Sequence, residues 1–342
     1  MRRLRHALPA LFLAVLPAFA QQAPPWHDPS PHKVQFVTVD KDVKLEVLDW
    51  GGTGRPIVLL AGSGNTAHVF DEFATKLEEL GHIYGITRRG FGVSSKPESG
   101  YDDQHLADDV LRVLDSLNLI KPVLVGHSMA GSEMTTVGSQ HSDRLSGLIY
   151  LDAADDPVEN CWDKPEYHAL FKQLPAAVSS PTPSTDADKK SWEAFNDYWK
   201  KRILNFAFPE AELRNEFDQD PDGSVGPVRA PAFVRKAIAD GSKKRDYAMI
   251  RVPILAFVPM QPADASGWSE YYRFQPKTDM ERGALDEIYA TDRACTKLLE
   301  QGLSREAPNV RIVELLNADH YVFFSNEADV LREMRAFIQH LR

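Results

Sequence analysis

Hydrophobic and polar residues alternate along two early segments, 34–39 and 43–48, which predicts a hairpin with one solvent-exposed face. Beyond them the pattern changes to short, mostly apolar runs, as expected of strands that are buried on both faces of a sheet. These runs are 57–61, 83–86, 122–125, 148–151, 253–258 and 310–315. The pattern therefore predicts a largely parallel sheet that follows an antiparallel hairpin.

Apolar residues recur at helical spacing between and after these runs. In segment 106–117 they stand three and four positions apart, which indicates a helix buried on one side. Segment 331–341 repeats the pattern after a plausible helix start at Ser325 and Asn326. Because strand and helix alternate, we predict an α/β fold with a mostly parallel eight-stranded sheet flanked by helices.

One long interval breaks this alternation, since roughly 100 residues separate the runs that end at Leu151 and begin at Pro253. It is rich in aromatic residues, and Trp192, Phe195 and Trp199 stand at helical spacing, for which helix packing is the simplest interpretation. Proline and small polar residues predict loops at 175–188 and 218–231. The expected units are a helical cap at 155–249, inserted after strand 6 into a core made of 33–154 and 250–342.

The amino terminus predicts a secretory signal peptide at 1–20, with three arginines before an apolar stretch and a small-x-small pattern before Gln21. A membrane anchor is the alternative, but the apolar stretch falls short of the roughly 20 residues that span a bilayer. Proline-rich residues 21–32 predict an extended leader, so the folded part should begin near Lys33. We therefore expect a periplasmic or secreted protein, cleaved after Ala20.

Composition limits the possible partners. With 43% hydrophobic residues the chain can form a substantial core, and 39 basic against 49 acidic residues give a net charge of −10. That balance disfavours nucleic acid and anionic membranes, because phosphate binding depends on Lys and Arg. We expect a small-molecule substrate and no membrane span, and the oligomeric state is open. Cys161 and Cys295 form no CxxC pair, and in an oxidising compartment they could form one disulfide or remain free.

A nucleophilic serine is predicted in Gly126-His-Ser-Met-Ala-Gly131, between the apolar run 122–125 and segment 132–141, which can be helical. A strand, a sharp turn and a helix in that order expose a serine hydroxyl above a sheet. Ala130 stands where a strict G-x-S-x-G pattern has its second glycine, and a small residue satisfies the packing there. Ser128 is therefore the candidate nucleophile.

Such a serine needs a base and a third group that orients the base. His320 is the candidate base, because it lies in a polar segment between the last strand and the last helix. His127 is adjacent to the serine but should point away from it, and His340 lies within the last helix. A histidine base predicts that activity falls below a pH of roughly 6.5.

These motifs together resemble the α/β-hydrolase fold family, over nearly the whole mature chain, and a serine esterase or lipase-like member in particular. Segment 59–65 looks like the family's oxyanion loop, and segment 87–94 is similar to its D-x-R-G-x-G-x-S turn. The chain departs from the family at Ala61, where a histidine is frequent, and at Thr87, where an aspartate is usual. The resemblance implies no metal and no cofactor.

Two backbone N–H groups are implied as oxyanion donors by the resemblance. They belong to Met129, which follows the serine, and to Ser63. Gly64 or Asn65 could supply the second donor instead.

The resemblance also leaves two aspartates as candidates for the third group. Asp264 follows the strand predicted at 253–258, where the family commonly places its acid, but Pro259 and Pro262 interrupt the turn. Asp152 ends the preceding strand in Leu151-Asp-Ala-Ala154, which looks like the L-D-P-A segment of pancreatic-type lipases. We prefer Asp152, although it could instead be a strand-end residue beside solvated charges.

The predicted activity is hydrolysis of carboxylic esters, or related acyl compounds with apolar groups, through an acyl-enzyme. A serine at this turn argues against epoxide hydrolases and haloalkane dehalogenases, which use an aspartate there. A prolyl-type aminopeptidase would need acidic residues in the inserted interval, although a solvated helix face explains those present: Glu210, Glu212, Glu216 and Asp218. A non-catalytic ligand-binding protein of the same fold is the other alternative.

Overall fold

The computed structural model describes residues 26–156, 161–175, 178, 183–202, 206–260, 274–307 and 309–341. The predicted signal peptide at 1–20 and the alternative acid Asp264 lie outside the described residues.

Eight strands form one sheet with the spatial order β1-β2-β4-β3-β5-β6-β9-β10, and β7 and β8 form a separate antiparallel hairpin. In the large sheet, β2 runs antiparallel to both of its neighbours, and the remaining pairs are parallel. The mostly parallel α/β fold is therefore confirmed. The strands are β1 (Lys33–Asp40), β2 (Val43–Gly52), β3 (Pro56–Leu60), β4 (His82–Ile86), β5 (Val123–His127), β6 (Gly147–Leu151), β7 (Phe217–Gln219), β8 (Val225–Val228), β9 (Ile254–Met260) and β10 (Val310–Leu316).

Helices connect the strands and follow the last of them. Both helices predicted from apolar spacing are present, at Asp103–Ser116 and Glu327–Gln339. The described helices are α1 (Asp71–Thr75), α2 (Asp103–Ser116), α3 (Ala130–Gln140), α4 (Pro165–Phe171), α5 (Asp186–Lys189), α6 (Trp192–Arg202), α7 (Glu210–Glu216), α8 (Ala232–Gly241), α9 (Asp279–Glu306), α10 (Val322–Ser325) and α11 (Glu327–Gln339). Among them, none combines the length and the apolar character that a bilayer-spanning helix requires.

Side chains of the central strands alternate between two apolar cores on opposite faces of the sheet. In β3, Ile57 and Leu59 join one core, and Val58 and Leu60 join the other. Every residue of β5 and of β6 is buried, which explains why both strands are continuous apolar runs in the sequence. Full burial of each such side chain stabilises the fold by about 1.5–3 kcal/mol. The ends of β5 and β6 are therefore firmly anchored.

The interval between β6 and β9 contains α4 to α8 and the β7–β8 hairpin. The prediction of a loop at 218–231 is wrong, because part of this polar, glycine-containing segment forms the β7–β8 hairpin. The helix predicted around Trp192 and Phe195 is confirmed, and both side chains are buried in the same core as the sheet. Helix packing is thus the correct interpretation for these two aromatic residues. The cap boundaries at 155 and 249 stay a prediction.

Cys161 and Cys295 are joined by a disulfide, with their Cα atoms 5.8 Å apart. The bond connects the beginning of the inserted interval to α9. Of the two states that the sequence left open, the structure has the bridged one.

The leader is folded from Trp26 onward, earlier than the predicted start at Lys33. Ser30 Oγ donates to Asp71 Oδ1 at 2.9 Å, and His32 Nδ1 lies 3.0 Å from the same oxygen. Residues 26–32 have no helix or strand, as predicted, but they are held against the start of α1 by these side chains.

Candidate active site

Ser128 stands between β5 and α3, with a positive φ of 54°. This left-handed conformation costs a residue other than glycine about 1–3 kcal/mol, and it persists only where the surrounding structure imposes it. The Ser128 N–H donates to the Leu151 carbonyl at 3.3 Å, and the Ser128 carbonyl accepts from Gly131 N–H at 3.0 Å. Leu151 on β6 and Gly131 in α3 thus hold Ser128 in the conformation that the motif predicted.

Glycine is required on both sides of this turn. A Cβ atom at Gly131 would lie 1.9 Å from the Ala153 carbonyl oxygen, and one at Gly126 would lie 2.3 Å from Met134 Sδ. Ala130 is fully buried, so its methyl group fits where a strict pattern would place glycine.

His320 and Asp152 form a hydrogen bond of 2.6 Å between Nδ1 and Oδ2. Asp152 begins the loop after β6 with a φ of 46°, and its N–H donates to the Phe257 carbonyl on β9 at 3.1 Å. The structure thus brings the preferred acid to the predicted base. Because Asp264 lies outside the described residues, the choice between the two aspartates stays a prediction.

The pKa of His320 is raised above its ordinary value. Desolvation by the surrounding protein alone would lower this pKa, but the hydrogen bond and the charge of Asp152 outweigh that effect. Even so, 47% of the side-chain surface is accessible, so the ring can exchange protons with a bound ligand or with water. Among the described residues, the side-chain hydrogen bond of His320 goes to Asp152 and none goes to Ser128. Bonds of that kind often tighten only when substrate binds.

His127 supports the His320 loop, a role that the sequence analysis did not assign. Its Nε2 donates to the His320 carbonyl at 3.0 Å, and the two ring centroids are 4.6 Å apart. Burial, and then the neighbouring His320, lower the pKa of His127 well below its ordinary value, so the ring stays neutral. The ring of His127 therefore positions the backbone that carries the candidate base.

The predicted oxyanion loop follows β3 and lies directly against the serine turn. A Cβ atom at Gly62 would lie 3.1 Å from Ser128 Cβ and 2.8 Å from His127 Nδ1. Buried Arg88 holds the start of this loop, since its Nη2 donates to the Ala61 carbonyl at 2.9 Å. The same guanidinium binds Glu133 on α3 with two hydrogen bonds of 2.7 Å. One side chain therefore joins the oxyanion loop to the helix that follows Ser128.

Glu212 on α7 holds the far end of the oxyanion loop. It accepts from Asn65 Nδ2 at 2.9 Å and from Thr66 N–H at 3.0 Å. Tyr321, next to His320, donates to Asn65 Oδ1 at 3.0 Å. From the sequence, the acidic residues of segment 210–218 are interpreted as a solvated helix face. That interpretation is wrong for Glu212 and Glu216, which are 0% and 8% exposed.

Burial raises the pKa of both carboxyl groups. For Glu212 the pKa reaches about 7 in spite of the hydrogen bonds from the loop, and for Glu216 it reaches about 8, with the charge of Glu212 as a second cause. Both acids are therefore substantially protonated near neutral pH.

A cavity of about 570 Å³ is lined by all five preferred site residues: Ser63, Ser128, Met129, Asp152 and His320. Its wall is mixed in character. Trp162 is the aromatic residue of the described lining, beside apolar residues such as Ile238 and Val258. Besides Asp152, the charged lining residues are Asp155, Arg235, Arg245 and Asp292. The aromatic residues Trp192, Phe195 and Trp199 of the inserted interval are packed in or against the core.

Asp155 follows this strand end with a side chain that is 38% exposed, and it lies beside the buried side chain of Arg245. The Arg245 side chain is 3% exposed, its Nη1 lies 3.7 Å from Asp155 Oδ1, and its Nη2 donates to Ser132 Oγ at 3.3 Å. Burial raises the pKa of Asp155, although the charge of Arg245 opposes that change. The alternative oxyanion residue Gly64 lies against a different arginine, because a Cβ atom there would be 2.4 Å from Arg235 Nη2.

Comparison with known proteins shows which family this chain resembles. A family model described as the alpha/beta hydrolase family matches residues 57–333. Over 121 residues the chain is 34% identical to the AB hydrolase superfamily protein YisY of Bacillus subtilis, covering 35% of this chain and 45% of that protein. Over 113 residues it is 31% identical to epoxide hydrolase A of Mycobacterium tuberculosis, covering 32% of this chain and 35% of that protein.

The matches with curated relatives span less than half of those relatives' lengths. A solved structure, that of E-2-(acetamidomethylene)succinate hydrolase, aligns over 90% of this chain and 99% of its own, with a TM-score of 0.63 and 20% identity. At that identity the alignment shows a shared fold.

Proposed function

This chain belongs to the α/β-hydrolase family, and on that premise we propose that it is a serine hydrolase that cleaves carboxylic esters or related acyl compounds. The observation that carries the proposal is the His320–Asp152 hydrogen bond of 2.6 Å at the cavity that Ser128 also lines. A paired imidazole, a hydroxyl on a strained turn and an adjacent glycine loop are the parts that acyl transfer requires.

In the proposed reaction, Ser128 Oγ attacks the acyl carbonyl and passes its proton to His320. Because Asp152 occupies Nδ1, Nε2 is the nitrogen that accepts this proton. The imidazolium then protonates the leaving alcohol, and the C–O bond breaks to give an acyl-enzyme. A water molecule, deprotonated by His320, hydrolyses the acyl-enzyme and restores the Ser128 hydroxyl.

The N–H groups of Met129 and Ser63 would bind the oxyanion of the tetrahedral intermediate. Each such donor contributes about 2.7–4 kcal/mol to transition-state stabilisation in comparable sites. Arg88 and Glu212 support this role, because they hold the two ends of the loop that carries Ser63.

The lining of the cavity supports a small substrate with both an apolar and a polar part. Ile238, Val258 and Leu299 offer apolar contact, and Arg235 is 58% exposed with its guanidinium at the same wall. We therefore extend the predicted ester substrates to esters whose acyl or alcohol group also carries a hydrogen-bond acceptor.

Two alternatives receive less support. In the described lining, none of the four acidic residues that an aminopeptidase would need is present, and Glu212 already accepts hydrogen bonds from the oxyanion loop. A ligand-binding protein without catalysis would not need the His320–Asp152 pair. Ser128 at the turn also argues against epoxide opening, the activity in the name of one relative.

The test is covalent labelling by a fluorophosphonate probe, together with turnover of a panel of p-nitrophenyl esters and one aminopeptide anilide. We expect wild type to be labelled once and to hydrolyse the esters, and Ser128→Ala to lose both properties. Ser132→Ala is the matched control, because Ser132 lines the same cavity from the first turn of α3. Equal labelling of wild type and Ser128→Ala would refute the proposal, and cleavage of the anilide alone would favour the aminopeptidase.

We also propose that the chain is exported and processed after Ala20. The Cys161–Cys295 disulfide supports this location, because such bonds persist in oxidising compartments. The intact mass of protein recovered from the periplasm or the medium tests the proposal, and a mass that includes residues 1–20 would contradict it.

A further inference from the structure

A second cluster of histidines and carboxylates lies outside the cavity. It is formed by Asp28 and His32 in the leader, by His68 in the turn before α1 and by Asp71 at the start of α1, and we name these four residues the clasp cluster. One potential ligand atom from each residue lies within 4.8 Å of all the others. The proposed hydrolysis uses none of the four.

Three of the distances between potential ligand atoms in the clasp cluster are close to those of a tetrahedral zinc site, although two of them involve different oxygens of Asp71. His68 Nδ1 lies 3.3 Å from Asp28 Oδ2 and 3.3 Å from Asp71 Oδ2, and His32 Nδ1 lies 3.0 Å from Asp71 Oδ1. With Zn–N and Zn–O bonds near 2.1 Å, tetrahedral ligands stand about 3.4 Å apart. Two imidazoles and two carboxylates are also a ligand set that suits Zn²⁺.

Surrounding residues hold these ligands in place. The other ring nitrogen of His68, Nε2, is buried without a hydrogen bond and lies 3.5 Å from Glu46 Oε1. Metal-binding histidines characteristically direct their second nitrogen at a carboxylate in this way. Asp71 Oδ1 accepts from Trp50 Nε1 at 3.1 Å and from Ser30 Oγ at 2.9 Å.

The cluster concentrates negative charge in a poorly solvated place. His32 and His68 have side chains that are 3% and 4% exposed, and three carboxylates surround the latter ring. The site therefore strongly favours a positive charge. Asp28 is 20% exposed and borders a surface cavity of about 330 Å³, which provides a path for a hydrated ion.

We propose that Asp28, His32, His68 and Asp71 bind one Zn²⁺, which fastens the leader to the beginning of α1. All four ligands come from the protein, so the role is structural. The Ala67–Phe70 turn that carries His68 follows the oxyanion loop directly, and Thr66 accepts from the His68 N–H at 3.3 Å. The ion would thus also stabilise the far end of that loop.

The test is zinc uptake by the tag-free full chain. Protein stripped with EDTA and dialysed is titrated with Zn²⁺, and bound metal and the thermal midpoint Tm are measured. We expect one Zn²⁺ per chain and a Tm that rises by several degrees with metal. His32→Gln and Asp28→Asn, both on the leader, should bind Zn²⁺ at least about 100-fold more weakly, and Glu46→Gln about 10- to 100-fold more weakly.

Two control variants separate this site from other His–Asp pairs. His105→Gln removes an exposed pair with Asp102 (2.7 Å), and His320→Gln removes the pair in the cavity, so both should still bind one Zn²⁺. Uptake below about a tenth of an equivalent by wild type would overturn the proposal. The proposal would also be overturned if both leader variants bound Zn²⁺ with wild-type affinity. A loss of Tm in those variants that is the same in EDTA and in Zn²⁺ would overturn it too, because either result indicates an ionic cluster without metal.

Discussion

The cavity pair, His320 with Asp152, and the clasp cluster combine the same chemical groups in opposite surroundings. In both, a histidine Nδ1 faces carboxylate oxygen, at 2.6 Å in the cavity and 3.3 Å in the cluster. The His320 side chain is 47% exposed at the cavity that Ser128 also lines, whereas that of His68 is 4% exposed among three carboxylates. A histidine with a carboxylate therefore indicates catalysis only where the ring is accessible and faces a reactive partner.

Their acid–base properties differ for the same reason. Burial lowers the pKa of His320, but the hydrogen bond and charge of Asp152, together with the charges of two further aspartates, outweigh that effect and raise it. Three carboxylates raise the pKa of His68 to about 12, so that ring holds a positive charge throughout the physiological range unless a metal ion replaces its proton. In the proposed reaction, only the accessible ring of His320 would act as a general base.

The largest expected effect separates the two histidines by activity. His320→Gln should lower kcat for ester hydrolysis by about 10⁴- to 10⁶-fold, because the base is lost, while Tm stays close to wild type. Steady-state kinetics with thermal unfolding measures both quantities. A loss smaller than about tenfold would mean that another group serves as the base.

The next effect concerns the carboxylate partner. Asp152→Asn should lower kcat by about 10⁴-fold, because an amide favours the wrong tautomer of His320 and cannot stabilise the imidazolium. Asp102→Asn, at the exposed His105 pair, is the matched control and should leave kcat unchanged. If Asp152→Asn retains kcat and Asp264→Asn loses it, the preferred acid is wrong.

A third effect appears in stability. His68→Gln should lower the free energy of unfolding by about 3–5 kcal/mol, since it leaves buried carboxylates without their cation. His105→Gln removes a pair that is 54% and 36% exposed, so the change should stay within about 1 kcal/mol. Urea denaturation of both variants measures the difference. Similar losses in the two variants would remove the distinction between a buried cluster and a surface pair.

The fourth effect is the pH dependence of kcat/KM. The base must be neutral to accept a proton, so activity falls about tenfold per pH unit below the pKa of His320. Because Asp152 raises this pKa, the decline should begin at a higher pH than the roughly 6.5 predicted from the sequence. In Asp152→Asn the residual activity should decline at a lower pH. An unshifted profile would show that His320 is not the titrating group.

Local patterns explain why much of the fold could be predicted. The apolar runs of β5 and β6, and the glycines around Ser128, are short-range signals whose physical cause lies within a few residues. The roles of Arg88 and Glu212 could not be predicted in this way, because each depends on a partner that is distant in sequence and brought near by the fold. The same holds for the disulfide partner of Cys161.

The leader shows where composition misleads. Its prolines correctly predicted the lack of helix or strand, but they say nothing about whether side chains such as Asp28 and His32 find partners. One signal was present, since these residues are four apart and His68 and Asp71 are three apart. Pairs of potential metal ligands at short spacing deserve inspection even where no secondary structure is expected.

The smallest expected effect tests whether a buried carboxylate outside the cavity influences catalysis through the loop that it holds. Glu212→Gln keeps the size of the side chain but replaces one acceptor oxygen with a donor, so it disturbs the bonds from Asn65 and Thr66. We expect kcat to fall about two- to tenfold with little change in KM, since Glu212 acts one step away from the oxyanion donors, each of which contributes far more. Glu210→Gln, on the same helix but exposed and paired with Arg214, should leave kcat unchanged.

Because the pKa of Glu212 is raised to about 7, its contribution to stability is complete below pH 4.5 and is lost as the pH rises through about 7. The glutamine variant should therefore lose less stability than wild type between those two values. Identical kinetics and identical pH dependence in Glu212→Gln and wild type would confine Glu212 to packing.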